Sequence, residues 1–242
     1  MIEYDNLVNF WREYPTDKGG IHLKDCISME KVTYIKNLLA YVKSDYFFDG
    51  GKIIHSGLLP VPYCGNIKNA RVYFLGLNPG FCPNDYHAEA DTEFRKAAIT
   101  NLAQKGKNLP FLPLESRFCW WGGAEWWWKK FKPIFELYQK KGISYRESCE
   151  DMTRKVASLE LFPYHSASFP GGRKLLKIKS VEVMKEFAHA LARDKTKLLI
   201  VLRMASEWNL PKTNNVLIIP REQARSASIR NFANDIFRVL NK

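Results

Sequence analysis

Three segments of the chain concentrate side chains able to hold, polarise or grip a ligand. The first ends the apolar run Arg71–Leu77 (RVYFLGL) in Asn78-Pro79-Gly80-Phe81. A strand that empties into Asn-Pro-Gly makes a tight turn, with an asparagine side chain and free backbone amides at its tip; the same residues also make an ordinary turn. The second segment, PYHSASFPGGRK, follows Glu160 closely and carries His165 among small polar residues. An imidazole there either supplies positive charge or serves as a hydrogen-bonded structural group. The third, PREQARSASIRN, sets Arg221, Arg225 and Arg230 beside Ser226 and Ser228. Guanidinium groups and hydroxyls in that mixture meet phosphates, and a helix starting near Ser228 adds free amides and its dipole. A solvated charged loop ending in an N-cap serine is the plainer alternative.

Four buried strands must position these segments: Arg71–Leu77, Ala157–Phe162, Lys197–Arg203 and Asn215–Ile219, each a short apolar run bounded by polar or turn residues. Between them lie helical patterns. Ser180 can cap a helix whose Val181, Met184, Phe187, Ala188 and Leu191 recur at helical spacing. Ser228 is the expected N-cap of a last helix with Ile229, Phe232, Ala233, Ile236, Phe237 and Leu240 in one stripe. Strands alternating with helices predict an α/β fold, a three-layer α/β/α sandwich on a central four-stranded parallel sheet. Ligands bind beyond the carboxyl ends of such strands, which brings the three segments together. Leu7–Trp11 and Val32–Val42 read as helical. The whole is expected to be one domain, 1–242, with an N-terminal helical region (1–60) packed on the α/β core (70–242).

Charge narrows the partners. Lys and Arg outnumber Asp and Glu by 37 to 25, a net charge of +12 in 242 residues. Such an excess points to a polyanion, because neutralising phosphates releases condensed counterions. Lys129, Lys130, Arg173, Lys174 and Lys177 extend the cationic surface beyond the arginine loop. The start, MIEYDNLVNF, lacks the basic and apolar regions of a signal peptide. No run approaches the roughly 20 apolar residues of a membrane span. The five cysteines have no paired spacing, which speaks against structural zinc and a disulfide framework. A cytoplasmic monomer without metal or cofactor is the expectation. The run FCWWGGAEWWWKKF (118–131) enters a helix near Glu125. Its tryptophans cannot all face one way, so they divide between core and surface; a base-stacking platform is the alternative to a core cluster.

VYFLGLNPG (72–80) resembles the first signature of the uracil-DNA glycosylase superfamily, nearest to its G-x-N-P-G branches, the mismatch-specific and single-strand-selective glycosylases. Beyond this stretch, strand order and loop position agree over Val72 to Leu240. The resemblance implies a uracil-DNA-glycosylase-like fold. It also implies that Asn78 positions the hydrolytic water, while the backbone at Gly76 and Leu77 and an aromatic hold a flipped base. Phe81 is the first stacking candidate, with Tyr86 and Phe94 behind it. The last family motif often reads HPSP or NPSG, but here the loop is IIPREQARSASIRNF. A histidine-assisted leaving group therefore does not carry over, and His165 is the candidate to supply charge to the departing base. Ile229 or Arg230 would fill the hole left in the duplex. Where the single-strand-selective branch reads a pyrimidine with Asn, this chain has Glu160. A carboxylate accepts only, which suits the exocyclic amine of cytosine or adenine, a modified cytosine among them, better than uracil O4. Pairing of Glu160 with a core Arg or Lys is the structural alternative.

These readings predict a DNA glycosylase that flips a base from duplex or single-stranded DNA and hydrolyses its N-glycosidic bond, in repair or in defence against foreign DNA with modified bases. No obligatory protein partner is implied. The principal rival is a non-catalytic nucleic-acid binder with a glycosylase-like fold. An unrelated α/β hydrolase or phosphotransfer enzyme ranks lower, since no GxSxG, Walker A or Rossmann glycine pattern occurs.

Overall fold

The computed structural model describes residues 1–47, 53–224 and 226–242, and leaves the side chains of Met29 and Arg173 outside its description. The chain opens with helix α1 (Ile2–Arg12), which buries Leu7, Val8, Phe10 and Trp11. Where a helix is expected over Val32–Val42, the chain instead extends as β1 (Val32–Thr33), and only α2 (Leu38–Val42) is helical. The Asn37 side chain explains the late start, because it accepts from the Ala40 amide at 2.9 Å and caps α2. Strand β1 pairs in parallel with β2 (Ile54–His55) in a separate small sheet.

The main sheet contains β3 (Tyr63–Gly65), β4 (Val72–Gly76), β5 (Val156–Glu160), β6 (Leu198–Val201) and β7 (Val216–Ile218) in the order β3-β5-β4-β6-β7. The four expected strands are present and mutually parallel. The sheet is nevertheless five-stranded and mixed, because β3 adds itself antiparallel to β5, with Tyr63 opposite Leu159. Gly65 makes this possible: at φ +92° a Cβ would sit 2.6 Å from the Val156 carbonyl.

Both faces of the sheet are buried, so its strands are apolar in alternate directions. Tyr73, Leu75, Leu159, Leu199 and Val201 share one core with α1 and with α7 (Lys179–Arg193). Val72, Phe74, Val156 and Ile200 share the other with α5 (Gly122–Lys140), α6 (Tyr145–Met152) and α9 (Ala233–Leu240). Between β4 and α5 run α3 (Asn84–Ala90) and α4 (Thr92–Leu102), and α8 (Ala205–Trp208) follows β6. Among the described residues, no helix is long and apolar enough to cross a membrane.

Two expected caps are replaced. Helix α7 starts after Ile178, and Ser180 lies buried in its first turn. The capping acceptor comes from afar: Asp25 takes the Ser180 amide at 2.8 Å and the Tyr164 hydroxyl at 2.6 Å. A 3-10 turn (Arg230–Phe232) separates half-buried Ser228 from α9, so Ser228 is not that helix's N-cap.

Candidate active site

A cleft of about 400 Å³ opens beyond the carboxyl ends of β4, β5 and β6, on the side where α5 packs. Its lining includes Asn78–Cys82 after β4, Glu160 at the end of β5 with Ala167–Phe169 beyond it, and Arg203 after β6. The first turn of α5 supplies the facing wall, with Trp121, Gly122, Gly123 and Trp126. Side chains spread over the sequence converge because parallel strands end together.

Asn78 is held in one orientation. Its Nδ2 donates to the Ser166 carbonyl at 3.2 Å and to Ser166 Oγ at 3.1 Å. A carbonyl only accepts, so the NH2 must face Ser166 and Oδ1 must point the other way. That oxygen has no hydrogen-bond partner among the described residues and is available to a water or substrate hydroxyl in the cleft.

Glu160 lies below, paired in register with Gly76 on β4. A Cβ on Gly76 would meet Glu160 Oε2 at 2.2 Å and Cδ at 2.8 Å. Gly76 therefore contributes the space that lets the carboxyl lie flat against the strand. Its carbonyl is engaged elsewhere, accepting from Trp208 Nε1 at 3.1 Å, and the Leu77 carbonyl accepts from the Phe162 amide at 2.7 Å. Leu77 lines the cleft and Gly76 lies against the Glu160 carboxyl, and both of those carbonyls are already engaged. Glu160 itself is 9% exposed, and its Oε2 has no hydrogen-bond partner among the described residues. Burial pushes its pKa up to about 8, against the opposing pull of the Arg203 guanidinium. That shift favours the protonated carboxyl over the carboxylate near neutral pH. The acceptor-only premise fails for this reason, since a protonated carboxyl also donates.

His165 is not in the cleft. It is 4% exposed behind the Asn-Pro-Gly turn, where Nδ1 lies 2.9 Å from the Gly80 carbonyl and 3.8 Å from Asp85 Oδ2. Burial lowers its pKa against the raising influence of Asp85 and of the Gly80 and Leu59 carbonyls. A neutral imidazole with no view of the ligand space cannot supply charge to a departing base. Its part is to hold the turn that presents Asn78.

Phe81 does line the cleft, and one face of its ring is already stacked on His55, with centroids 3.6 Å apart and planes at 13°. His55 is buried, and that burial drops its pKa to about 4, so the support is a neutral ring. The other two aromatics fall away as stacking candidates. Tyr86 is buried with its hydroxyl 3.1 Å from His55 Nδ1, and Phe94 packs edge-on against Phe118 and Trp121 in the core.

Helix geometry sorts the tryptophans. Trp127, Phe131, Ile134 and Tyr138 follow helical spacing on α5 and are buried, which turns Trp126 and Trp128 off that face. Trp126 stands 37% exposed at the cleft, with the Lys130 ammonium 4.7 Å from its ring centroid. Asp85 ties this wall to the turn after β4, accepting from Trp121 Nε1 at 2.8 Å and from the Cys82 amide at 2.7 Å. The cluster is thus part core and part cleft wall.

The described residues of the arginine loop flank the cleft without lining it. Arg203 Nε donates to the Ala224 carbonyl at 3.3 Å, and Lys130 Nζ donates to the Ser226 carbonyl. Arg221, Ser226 and Arg230 are exposed, as are Lys174 and Lys177. Arg225 and the Arg173 side chain lie outside the described residues. Ile229 is 1% exposed in the core with Ile236 and Leu240, so it is a packing residue and not a wedge for a vacated base site. Lys129 is exposed but paired with Glu125 at 2.5 Å.

Sequence reasoning passed over Arg203, Ser166 and Trp121. An arginine closing the apolar run KLLIVLR was the available signal for the first; Ser166 and Trp121 act through partners distant in sequence. Comparison of the chain with protein families, curated proteins and solved structures found no match.

Proposed function

We propose that the chain is a DNA glycosylase with a uracil-DNA-glycosylase-like α/β/α sandwich, excising a base flipped into the cleft beyond β4–β6. The observation that carries this reading is the fixed Asn78 amide, whose unengaged Oδ1 adjoins a ligand-sized hollow. Breaking a glycosidic bond yields an oxocarbenium-like sugar, and such a cation needs a well-placed water more than a strong base. An asparagine oxygen suffices to orient that water. Phe81, backed by His55, offers an aromatic face to the base, and Trp126 offers another at the rim. The net charge of +12 and the exposed Arg221, Arg230, Lys174 and Lys177 suit the phosphates on either side.

Two measurements follow. Duplex and single-stranded DNA carrying uracil, hypoxanthine, or plain and substituted cytosines is incubated with the protein, and hot alkali reveals abasic sites. At least one base is released; release of none rejects the reading in favour of a non-catalytic nucleic-acid binder, which the absence of a histidine from the described cleft lining favours. Binding by the four exposed cations named above weakens about 10²-fold between 50 and 200 mM salt, at a slope near 0.9 per phosphate contact. Fluorescence anisotropy of labelled DNA reads this directly, and a salt-independent affinity rejects the phosphate contacts.

A further inference from the structure

On the glycosylase reading, we infer that Glu160 is a catalytic acid that protonates the departing base, and that the base it serves is a 4-aminopyrimidine, cytosine-type in its ring. The geometry begins with an anomaly: a carboxyl oxygen buried at the cleft floor without a hydrogen-bond partner among the described residues. An ionised carboxylate so placed is strongly disfavoured, whereas a neutral acid is tolerated and stays ready to donate. Burial accounts for that state, against the pull of the one cation facing it among the described residues. Arg203 after β6 is the cation; the Cys64 thiol on β3 is itself pushed up to about 12 by burial. Strand β4 meets it at Gly76, and the start of α5 brings only the uncharged Trp121, Gly122, Gly123 and Trp126 to the cleft. Cys82 and Asp85 line the same cleft, but both Asp85 oxygens are engaged by Trp121 and the Cys82 amide. Among the described residues lining the cleft, Glu160 is therefore the acid free to give a proton.

A neutral carboxyl presents O–H and C=O side by side. The N3 lone pair and the 4-amino N–H of a cytosine-type ring match that pair, one accepting and one donating. The chemistry closes as well. A 4-aminopyrimidine leaves poorly as an anion, so the proton from Glu160 moves to N3 as the C1′–N1 bond breaks. The bonding pair goes to the ring, and the base departs neutral. Water oriented by Asn78 Oδ1 bonds to C1′, and the proton it loses returns through solvent to the Glu160 carboxylate. This supplies the leaving-group assistance that the loop after β7, without a histidine, lacks. Raised carboxyl pKa values are how a carboxyl remains an acid near neutrality.

The test is single-turnover excision between pH 6 and 9.5, from single-stranded and mismatched DNA carrying cytosine, a C5-substituted cytosine or uracil. The two cytosine arms distinguish a plain from a substituted ring. Wild-type release of a cytosine-type base is expected to be level at low pH and to fall tenfold per unit above about pH 8. Glu160→Gln keeps one donor and one acceptor but has no acidic proton. Its cytosine-type excision falls about 10²-fold or more, with DNA affinity and melting temperature maintained. Uracil departs as a stable anion and is spared this loss. A flat profile to pH 9.5, a Glu160→Gln rate within threefold of wild type, or release of uracil alone overturns the assignment while leaving the glycosylase reading intact. Release of no base by the wild type removes both.

Discussion

Asn78→Ala is expected to reduce base excision by about 10³-fold while DNA binding and the fold persist. The size of the loss follows from what the side chain does. Two hydrogen bonds to Ser166 fix one amide edge, and the opposite oxygen is left for a water. Alanine removes the oxygen and leaves the water to wander. The lost bonds cost about 1 kcal/mol each in stability, a small part of a domain's total. Ser166→Ala separates the two effects, because it deletes one acceptor but keeps the Ser166 carbonyl that orients Nδ2. That variant should lose no more than about tenfold in rate. Rates are read as abasic sites formed in single-turnover reactions and affinity by anisotropy. An Asn78→Ala variant that cleaves at the wild-type rate takes Asn78 out of the mechanism.

Gly76→Ala carries the second large effect, and it acts at a distance of one strand. The added methyl would lie 2.2 Å from Glu160 Oε2 and 2.8 Å from Cδ, so the carboxyl must leave its place. It is the end of a flexible side chain with open cleft above it, so the stability cost is about 1–2 kcal/mol, at the low end for overpacking. The displaced carboxyl then occupies the space a base requires. Excision should fall about 10²-fold with a modest shift in the denaturant midpoint. Gly76→Ala combined with Glu160→Ala should recover part of the stability, since the three atoms nearest the added methyl all belong to the carboxyl. Failure of that pair to couple would show that the methyl meets something else.

Much of the fold was legible because burial on both faces writes parallel strands as short apolar runs, and all four were found within two residues of their ends. The edge strand β3 was hidden: three residues, Tyr63-Cys64-Gly65, carry no period, and only the approach of Gly65 to Val156 explains the pairing. The serines at 180 and 228 looked like caps, but Asp25 performs the first task from another part of the chain, and a 3-10 turn defers the second. In the site, Asn78, Phe81 and Glu160 came from local pattern. The protonation of Glu160 could not, for it comes from burial against Gly76 in the folded sheet, which outweighs the opposing pull of Arg203. His165 looked catalytic by its neighbours in sequence and became a prop by its neighbours in space.

The attachment of the arginine loop has a further consequence. Lys130 and Arg203 both grip main-chain oxygens, those of Ser226 and Ala224, and a carbonyl is present whatever residue bears it. The side chains at 221, 222, 226 and 230 can therefore be exchanged without unfastening the segment. On the proposed glycosylase reading, surface contacts and cleft chemistry are separate variables in one molecule, and exchanging those side chains is expected to change the preference for a strand form or flanking sequence without altering the cleft.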